Sequence, residues 1–382
     1  MTSTKIPAVF MRGGSSKAVV FHGRDLPADR AARDAIFLHV LGSPDPYQRQ
    51  LDGMGGGLSS VSKAVIVEPS ARPDADVDYT FAQVSVDRPV VDYGANCGNM
   101  SAAVGPFAVD EGLVAVADGE AVVRVYNTNT DKLYHARFRA ADGAAVEEGD
   151  FAIPGVSGTG ARITLDYLDP GGAATSALLP SGSPRDRLEV DGVGSIEVSL
   201  VDATNPVVFV MARDVGCTAT EPPEHLEADP TVMARLDAIR RAGGVAMGMA
   251  KGPAAVGLAN PKGAMLGPAA DSTAIDGRVY PADTHDLSMR IVSMERVHRA
   301  VTLTGAMCTA VAARIEGTIP HGLAGNRAPL RIGNPSGVLP VEAEVIRQPD
   351  GSFHARSATT YRTHRRLMEG QVLVPMRLLS AR

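Results

Sequence analysis

The sequence has no tryptophan, and aromatic residues make up only 4% of its 382 residues. A hydrophobic core must therefore be built mainly from Val, Ala, Leu and Ile. Glycine and proline are abundant by contrast, with 40 and 26 residues, and both residue types favour turns. β-Branched residues occur in short runs between these turns, a pattern typical of strands. We therefore expect more β-structure than helix, and the chain length predicts two or three domains.

Clustered positive charge is also lacking, since 37 Lys and Arg face 43 Asp and Glu and the net charge is −6. This composition argues against a nucleic-acid partner. The three cysteines are too few and too scattered for a disulfide framework, which favours a reducing, cytoplasmic location. No apolar run has the length of a signal sequence or a membrane span. The nine histidines show no metal-ligand spacing, so we expect neither a membrane nor a metal.

The two halves of the chain carry a similar series of predicted elements. Both contain short runs in which apolar and polar residues alternate, as in half-buried strands. Each half also has an Ala-rich helical segment after a glycine-bearing turn, over 99–111 and 304–314. This pattern indicates an internal duplication. We place the boundary near Gly192, which gives domains of residues 1–192 and 193–382, and the last segment is a candidate to pack back on the first domain. Two further helices are predicted over 26–41 and 230–242.

Cys97 lies in the most informative segment, DYGANCGNMSAA, where polar and glycine residues lead directly into an Ala-rich helix. The sequence therefore predicts Cys97 at or just before the first helical turn. Unpaired N–H groups and the positive end of the helix dipole favour an anion there. A thiolate or a neighbouring substrate carboxylate would meet this requirement, which makes Cys97 a candidate for proton transfer. The alternative is a small buried apolar residue, as most lone cysteines are.

Lys63 lies where a Gly/Ser-rich loop beginning at Asp52 becomes a strand. Glycines let the backbone approach a bound anion closely, and the Ser60 and Ser62 hydroxyls add donors. Partial burial would reduce the proton affinity of the Lys63 amine and let it act as a base. The alternative is an ordinary solvated lysine beside a turn. The loop lacks the Gly-Lys-Ser/Thr ending of a phosphate-binding P-loop.

Three other polar segments are weaker candidates. The turn of residues 12–17, RGGSSK, is either a carboxylate clamp or a surface turn. The turn of residues 334–337, NPSG, supplies donors in the second half. The basic run of residues 362–366 has the composition of a solvated face, and His298 precedes the second Ala-rich helix as a polar residue without ligand spacing.

These segments resemble the PrpF family, the 2-methylaconitate cis–trans isomerases, together with methylitaconate Δ-isomerase and 4-oxalomesaconate tautomerase. The matching stretches are MRGGSSKAVVF, LGSPDPY, DGMGGGLSSVSKAVIV, DVDYTFAQVSV, NCGNMSAAVGPFAV and RRLMEG, spread over residues 11–370. The resemblance implies an α/β fold of the diaminopimelate-epimerase type. Such a fold has two pseudo-symmetric domains, each with a β-barrel-like sheet around a central helix.

The resemblance also implies roles for individual residues. Lys63 matches the proton-transferring base, and Cys97 matches the cysteine that assists as an acid or orienting group. The implied substrate-binding residues are Ser15, Ser16, Lys17, Ser60, Ser62, Asn96, Gly98, Asn99, Thr304, Gly305 and Ser336. Epimerases of this fold carry a second catalytic cysteine before the second central helix, but residues 301–306, VTLTGA, contain none. Asn334 stands where relatives often have His, which leaves the substrate open.

The sequence therefore predicts a cofactor-independent isomerase of an unsaturated di- or tricarboxylate. Its partner would be that small molecule, and a homodimer is one option for its assembly. An amino-acid racemase or epimerase on the same fold is the first alternative, and the missing second cysteine argues against it. The second alternative is a non-catalytic protein that binds carboxylates.

Overall fold

The computed structural model describes residues 3–94, 97–258, 260–293 and 295–379. The chain divides into two compact units. Unit 1 is Met1–Asp166 with Tyr361–Arg382, and unit 2 is Tyr167–Thr360. The boundary suggested by the sequence, near Gly192, lies inside unit 2, and the last segment of the chain belongs to unit 1.

The elements follow one another in a β-rich order. In the first part of the chain they are β1 (Ser3–Gly13), β2 (Ser16–His22), α1 (Arg30–Leu41), β3 (Lys63–Pro69), β4 (Val77–Val84), β5 (Val91–Asp92), α2 (Ser101–Asp110), β6 (Gly119–Asn127), β7 (Lys132–Ala141), β8 (Ala144–Ala145) and β9 (Ile163–Leu168). The remainder comprises β10 (Asp186–Val190), β11 (Gly194–Ala203), β12 (Asn205–Met211), α3 (Pro223–Glu227), α4 (Pro230–Ala246), β13 (Lys262–Pro268), β14 (Ser272–Thr273), β15 (Val279–Tyr280), β16 (Leu287–Ser293), β17 (Arg296–Val297), α5 (Leu303–Ala313), α6 (Ile319–Ala324), β18 (Leu330–Asn334), β19 (Gly337–Arg347), β20 (Phe353–Arg362) and β21 (His364–Pro375).

The two units repeat one topology. In unit 1, β1 pairs antiparallel with β2, β2 parallel with β3, β3 antiparallel with β4, β4 parallel with β6, and β6 antiparallel with β7. In unit 2, the strands β11, β12, β13, β16, β18 and β19 pair in the same order and with the same directions. The predicted internal duplication is therefore confirmed.

Each unit packs its strands around one buried helix. α2 contacts β1, β6, β7 and β21 in unit 1, and α5 contacts β11, β12, β18 and β19 in unit 2. Small side chains allow this close packing, because a Cβ at Gly105 would lie 2.8 Å from the ring of Phe138. The structure confirms both predicted Ala-rich helices, with ends within two residues of the expected ones.

The two outer helices depart from their predicted bounds for local reasons. α1 begins at Arg30 rather than Leu26 because the Asp29 carboxylate caps it and accepts from the Ala32 N–H at 2.7 Å. α4 ends at Ala246 rather than at the predicted residue 242, and Gly243 and Gly244 lie inside it. A Cβ at Gly244 would come within 2.9 Å of Val256. These glycines therefore permit close packing rather than ending the helix. None of the described helices is both long and apolar enough to cross a membrane.

Candidate functional site

Lys63 is the first residue of β3, and its side chain is buried, with 6% of the residue exposed. Its Nζ donates a hydrogen bond to Oε1 of Gln83 and lies 5.0 Å from the centroid of the Phe81 ring. Burial lowers the pKa of Lys63, and the charge of Cys97 acts in the opposite direction. Lys63 therefore holds its proton less firmly than a solvated lysine does.

Gln83 holds the Lys63 amine in place. It lies directly opposite Lys63 in the β3–β4 pair. Its amide nitrogen donates to the carbonyl oxygens of Ser59 and Ser62 at 3.0 and 2.9 Å. These two bonds fix the amide so that its oxygen faces Lys63. Gln83 was not among the residues predicted from the sequence, although a polar residue in a mostly buried strand is a signal that could have identified it.

The loop before β3 is ordered by hydrogen bonds of its own side chains. The buried Gln50 donates to Ser62 Oγ at 2.7 Å and accepts from the Gly57 N–H at 3.0 Å. The carboxylate of Asp45 accepts the Gln50 N–H at 2.6 Å. The Ser62 hydroxyl, which is fully buried, therefore belongs to the loop scaffold that leads to Lys63. Ser60 lies in the short 3₁₀ turn of the same loop and is half-buried.

Cys97 is half-buried and lies four residues before the start of α2. Its carbonyl oxygen accepts from the Ser101 N–H at 3.0 Å, from Ser101 Oγ at 3.2 Å and from the Tyr79 hydroxyl at 3.4 Å. These bonds fix the turn that carries the thiol. Gly98 follows in the same turn and is buried. The predicted binding residue Asn96 lies outside the described residues.

Asn99 connects the Cys97 turn to the turn between β1 and β2. Its Oδ1 accepts from the Ser15 N–H at 3.4 Å, and its Nδ2 donates to Ser15 Oγ at 3.2 Å. A Cβ at Gly13 would lie 2.6 Å from the Asn99 carbonyl oxygen, so the two turns are in close contact. Ser16 is buried beside them, and the Lys17 amine lies 5.5 Å from the centroid of the Phe10 ring. The structure therefore brings the first-half candidates Ser15 and Asn99 together.

Two arginines join this region: Arg12, from the turn that the sequence suggested as a carboxylate clamp, and Arg362, which was not a predicted site residue. The Nε of Arg362, a residue only 7% exposed, donates to Asn99 Oδ1 at 3.1 Å. Arg12 Nη1 donates to the Gly14 carbonyl at 2.9 Å and to the Thr363 carbonyl at 3.1 Å. Part of the basic run 362–366 is thus buried, which differs from the predicted solvated face. The long sequence separation between Asn99 and Arg362 hid this contact from a reading of local patterns.

The second-half candidates lie in two adjacent segments of unit 2. Thr302 Oγ1 caps α5 by accepting the Gly305 N–H at 3.2 Å, and the Thr304 carbonyl accepts from Thr204 Oγ1 at 2.9 Å. Ser336 Oγ donates to the Arg299 carbonyl at 2.7 Å. The side chain of Asn334, which is buried, accepts from the N–H groups of Ser336 at 3.1 Å and Val301 at 3.4 Å. Asn334 thus organises this turn through its own amide.

The other two cysteines differ from Cys97. Cys308 is fully buried inside α5, and burial raises the pKa of its thiol. Burial also raises the pKa of Cys217. Both thiols are therefore poor proton carriers near neutral pH. Within the described ranges, no group of three or more His, Cys, Asp or Glu residues is arranged to hold a metal ion.

The sequence of the chain matches a known protein family. The model of the PrpF protein family matches residues 3–375. The chain belongs to the PrpF family. It is 41% identical to the 2-methyl-aconitate isomerase of Cupriavidus necator over 97% of each chain. It is 42% identical to the 3-methylitaconate isomerase of Eubacterium barkeri, again over 97% of each chain.

A solved structure supports the same assignment. The crystal structure of a methylitaconate-delta-isomerase superposes with a TM-score of 0.91 and 41% identity, and the match covers 100% of this chain and 98% of the other. This similarity over the whole length confirms the fold class predicted from the sequence. The predicted class of activity is confirmed as well, since relatives of this similarity are isomerases. The protein is an isomerase.

Proposed function

We propose that the protein isomerises an unsaturated di- or tricarboxylate by moving a proton along an allylic system, without a redox cofactor. The names of the relatives support the substrate class, because 2-methylaconitate and 3-methylitaconate are unsaturated polycarboxylates. The observation that carries the mechanism is the buried Lys63 amine, which donates to Gln83 and whose pKa burial lowers while Cys97 acts in the opposite direction.

In the proposed reaction, neutral Lys63 removes a proton from the carbon next to the double bond. The C–H bond breaks, and its electron pair is delocalised through the double bond onto a conjugated carboxylate, giving a dienolate. A proton then returns to the far carbon of the three-carbon system. Lys63 is regenerated, and no electrons are lost to an acceptor. Rotation in the dienolate would also permit cis–trans interconversion, so one intermediate serves both outcomes.

The surroundings of Lys63 suit this chemistry. Cys97 would assist as an acid or orient the substrate, and the donors of the Ser15 and Asn99 turns would stabilise the negative charge of the dienolate. A single well-placed donor of this kind contributes on the order of 3 kcal/mol to lowering a barrier. A general base contributes about 100-fold or more to the rate.

Proton NMR in deuterated water tests the proposal. Purified protein is incubated with aconitate, 2-methylaconitate, methylitaconate and oxalomesaconate, and the vinyl signals are followed. We expect conversion or vinyl exchange of at least one of them, and the Lys63→Ala variant should lose about 100-fold or more in turnover. Lys5→Ala is the matched control, because Lys5 is an exposed lysine of the same unit.

Two results would contradict the proposal. Full turnover by a folded Lys63→Ala variant would exclude Lys63 as the base. Exchange of deuterium into a saturated Cα of an amino acid, with no reaction of the alkenes, would instead indicate a racemase. Circular dichroism of each variant verifies that the fold persists.

A further inference from the structure

The side chain of Asn99 lies between the turn that carries Cys97 and the turn that joins β1 to β2. Its Oδ1 accepts a hydrogen bond from the Arg362 Nε–H at 3.1 Å and another from the Ser15 N–H at 3.4 Å. Guanidinium and backbone N–H groups can only donate, so both must face the oxygen of the amide. These two donors therefore fix the direction in which the Asn99 amide points.

The orientation of Asn99 in turn decides what the Ser15 hydroxyl can do. Asn99 Nδ2 donates to Ser15 Oγ at 3.2 Å. An amide nitrogen does not accept hydrogen bonds, and the two lone pairs of Asn99 Oδ1 are already used by the Arg362 and Ser15 N–H groups. The hydroxyl proton of Ser15 is therefore directed away from Asn99. Ser15 is exposed, so its O–H is available to donate to a bound molecule.

Arg362 is packed closely enough to impose this orientation. The residue is buried, and its Nη1 donates to the Tyr361 carbonyl at 2.8 Å. Gly14 lies directly against it, since a Cβ at Gly14 would overlap Asn99 Oδ1 and lie 3.0 Å from Arg362 Cδ. Gly14 also has a φ of +51°, in the left-handed region that favours glycine. A glycine at this position thus lets the turn pack on the pair formed by Arg362 and Asn99.

The segment after Arg362 holds the rest of the same turn. The Gly14 N–H donates to the Thr363 carbonyl at 2.9 Å. Arg12 donates to the Thr363 hydroxyl at 3.0 Å and to the His364 carbonyl at 3.1 Å. The turn is therefore attached to residues 362–364 by backbone and side-chain bonds, which hold its hydroxyl in place relative to the Asn99 amide.

The Ser15 turn lies at the same end of the sheet as Lys63. Ser15 immediately precedes β2, and Lys63 begins β3. The two strands run parallel, and Val19 pairs with Ala64, so Lys63 is level with Ala18. Both strands thus start at one end of the sheet of unit 1, and the Ser15 hydroxyl and the Lys63 amine belong to that end.

We propose that Arg362 is a positioning residue, which acts through Asn99 to present the Ser15 hydroxyl as a donor to one carboxylate of the substrate. Arg362 orients the amide, the amide nitrogen donates to the Ser15 oxygen, and the Ser15 O–H remains for the carboxylate. Arg362 itself does not touch the substrate. The choice of ligand, an unsaturated di- or tricarboxylate, rests on the proposed function.

A double-mutant cycle tests this role with propane-1,2,3-tricarboxylate, a saturated tricarboxylate that cannot undergo allylic isomerisation. Isothermal titration calorimetry on the full chain compares wild type, Ser15→Ala, Arg362→Met and the double variant. Each single variant should raise the Kd by about tenfold, as is usual when a hydrogen bond to a charged group is lost. The double variant should bind as weakly as Ser15→Ala does, within about twofold, because Arg362 acts only through the Ser15 hydroxyl.

Arg365→Met is the matched control. Arg365 is an exposed arginine three residues further along the chain, and its loss changes the net charge by the same amount. Its Kd should equal that of wild type. The same non-additive pattern of Ser15→Ala and Arg362→Met should appear in kcat/KM for the alkene that wild type converts, whereas a general loss of structure would lower kcat/KM in both backgrounds.

Asn99→Asp gives a second cycle that does not depend on the folding of Arg362→Met. An aspartate still accepts from Arg362 and from the Ser15 N–H, but it also accepts the Ser15 O–H and so withdraws this donor from the ligand. Repulsion between the new carboxylate and the ligand is the same with Ser15 or Ala at position 15. The loss of affinity caused by Asn99→Asp should therefore be about tenfold smaller in the Ser15→Ala background.

Three results would overturn the positioning role. Additive losses in the Arg362 cycle would show that Arg362 acts on the ligand by itself. An Asn99→Asp loss of equal size in both backgrounds would show that the amide does not orient the hydroxyl. A Kd unchanged in Ser15→Ala would remove the hydroxyl from the site.

The outcomes also separate this inference from the proposed function. Wild-type protein that binds the tricarboxylate with a non-additive cycle but converts none of the alkenes would refute the allylic mechanism and support the positioning role. Active wild-type protein with additive losses in kcat/KM would refute the positioning role alone. Wild-type protein that neither binds the tricarboxylate nor converts an alkene would refute both.

Discussion

The same strand position carries a lysine in both units, but the neighbours of the two lysines differ. In unit 1, the Lys63 amine donates to the Gln83 amide oxygen, and Cys97 raises the pKa of Lys63 against the effect of burial. In unit 2, burial and the charge of Arg240 both lower the pKa of Lys262. The same strand position therefore has neighbours that favour a protonated amine in unit 1 and a neighbour that disfavours it in unit 2.

The helix turns differ in the same way. The turn before α2 offers the Cys97 thiol, and residues 301–306, at the start of α5, offer hydroxyls and N–H groups instead. A racemase that works on both faces of one carbon needs a proton carrier from each repeat. An allylic isomerase needs one carrier together with groups that hold the carboxylates. The asymmetry of the two repeats therefore fits the second reaction.

The largest expected effect comes from breaking this asymmetry at Cys97. Cys97→Ala should lower kcat by about 100-fold, within the usual range for a group that assists proton transfer. Thr304→Ala, in the corresponding segment of unit 2, should change kcat by less than about tenfold, since it removes at most one neutral hydrogen bond. Steady-state kinetics on the alkene converted by wild type measures both.

Two results would refute that contrast. Cys97→Ala with wild-type kcat would remove the thiol from the mechanism, and a Thr304→Ala loss as large as that of Cys97→Ala would indicate a proton carrier in each repeat. Cys97→Ser, which keeps a weaker acid of similar size, should fall between wild type and Cys97→Ala.

The next effect concerns the contact between the two turns of unit 1. Gly13→Ala places a Cβ 2.6 Å from the Asn99 carbonyl oxygen and 3.0 Å from Met100 Cα. The backbone must shift, at a cost of about 2 kcal/mol in the free energy of unfolding. Gly252→Ala is the matched change in unit 2, where a Cβ meets nothing within 4 Å, and its effect should stay within about 0.5 kcal/mol of zero. Urea unfolding measures both, and equal destabilisation would show that the turn contact is not tight.

Substitutions at Gln83 should have a smaller effect, and the direction of the shift in the pH dependence of kcat/KM can be predicted for each. Its oxygen stabilises the ammonium form of Lys63, so Gln83→Leu should lower the pKa of Lys63 further. Because kcat/KM increases with pH as Lys63 loses its proton, this increase should then occur at lower pH. Gln83→Glu adds negative charge and should move the rise to higher pH. The loss at the pH optimum should be about tenfold, or about 1.4 kcal/mol. Shifts in the same direction for both variants would show that Gln83 acts only through the loop that contains Ser59 and Ser62.

The sequence predicted the elements whose signals are local. The buried helices α2 and α5 were recognised from their small residues, although burial on all sides leaves them without an amphipathic pattern. The strand at Lys63 and the turn at Cys97 were also recognisable, because Gly/Ser loops mark their boundaries. The start of α1 was predicted at Leu26, an apolar residue, but the structure begins the helix at Arg30 because the Asp29 side chain caps it.

Long-range contacts were beyond local patterns. β21 pairs with β1 over its whole length, and this pairing brings Arg362 and His364 into unit 1, yet nothing near residue 364 in the sequence indicates its partner strand. Lys262 was missed for a related reason. Its meaning comes from the repeat of strand order, which becomes evident only when β13 is placed beside β12. Register, rather than composition, identifies it as the counterpart of Lys63.

The smallest expected effect is on the pH dependence of stability and concerns two histidines, His364 of unit 1 and His298 of unit 2. Burial lowers the pKa of both to about 4. Both ring nitrogens of His364 lack a hydrogen-bond partner among the described residues, Arg12 lowers its pKa further, and Glu147 lies 4.0 Å away. Each histidine takes up its proton near pH 6.5 when unfolded but only near pH 4 when folded, so the protein should lose stability as the pH falls through this window.

Urea unfolding at pH 6 and pH 5 measures this loss for each histidine. His364→Asn should remove about 1 kcal/mol of the stability lost over that interval, and His298→Gln should remove a similar amount, because each substitution deletes one group that takes up a proton only on unfolding. A variant that loses as much stability as wild type between the two pH values would show that its histidine is protonated equally in the folded and unfolded states.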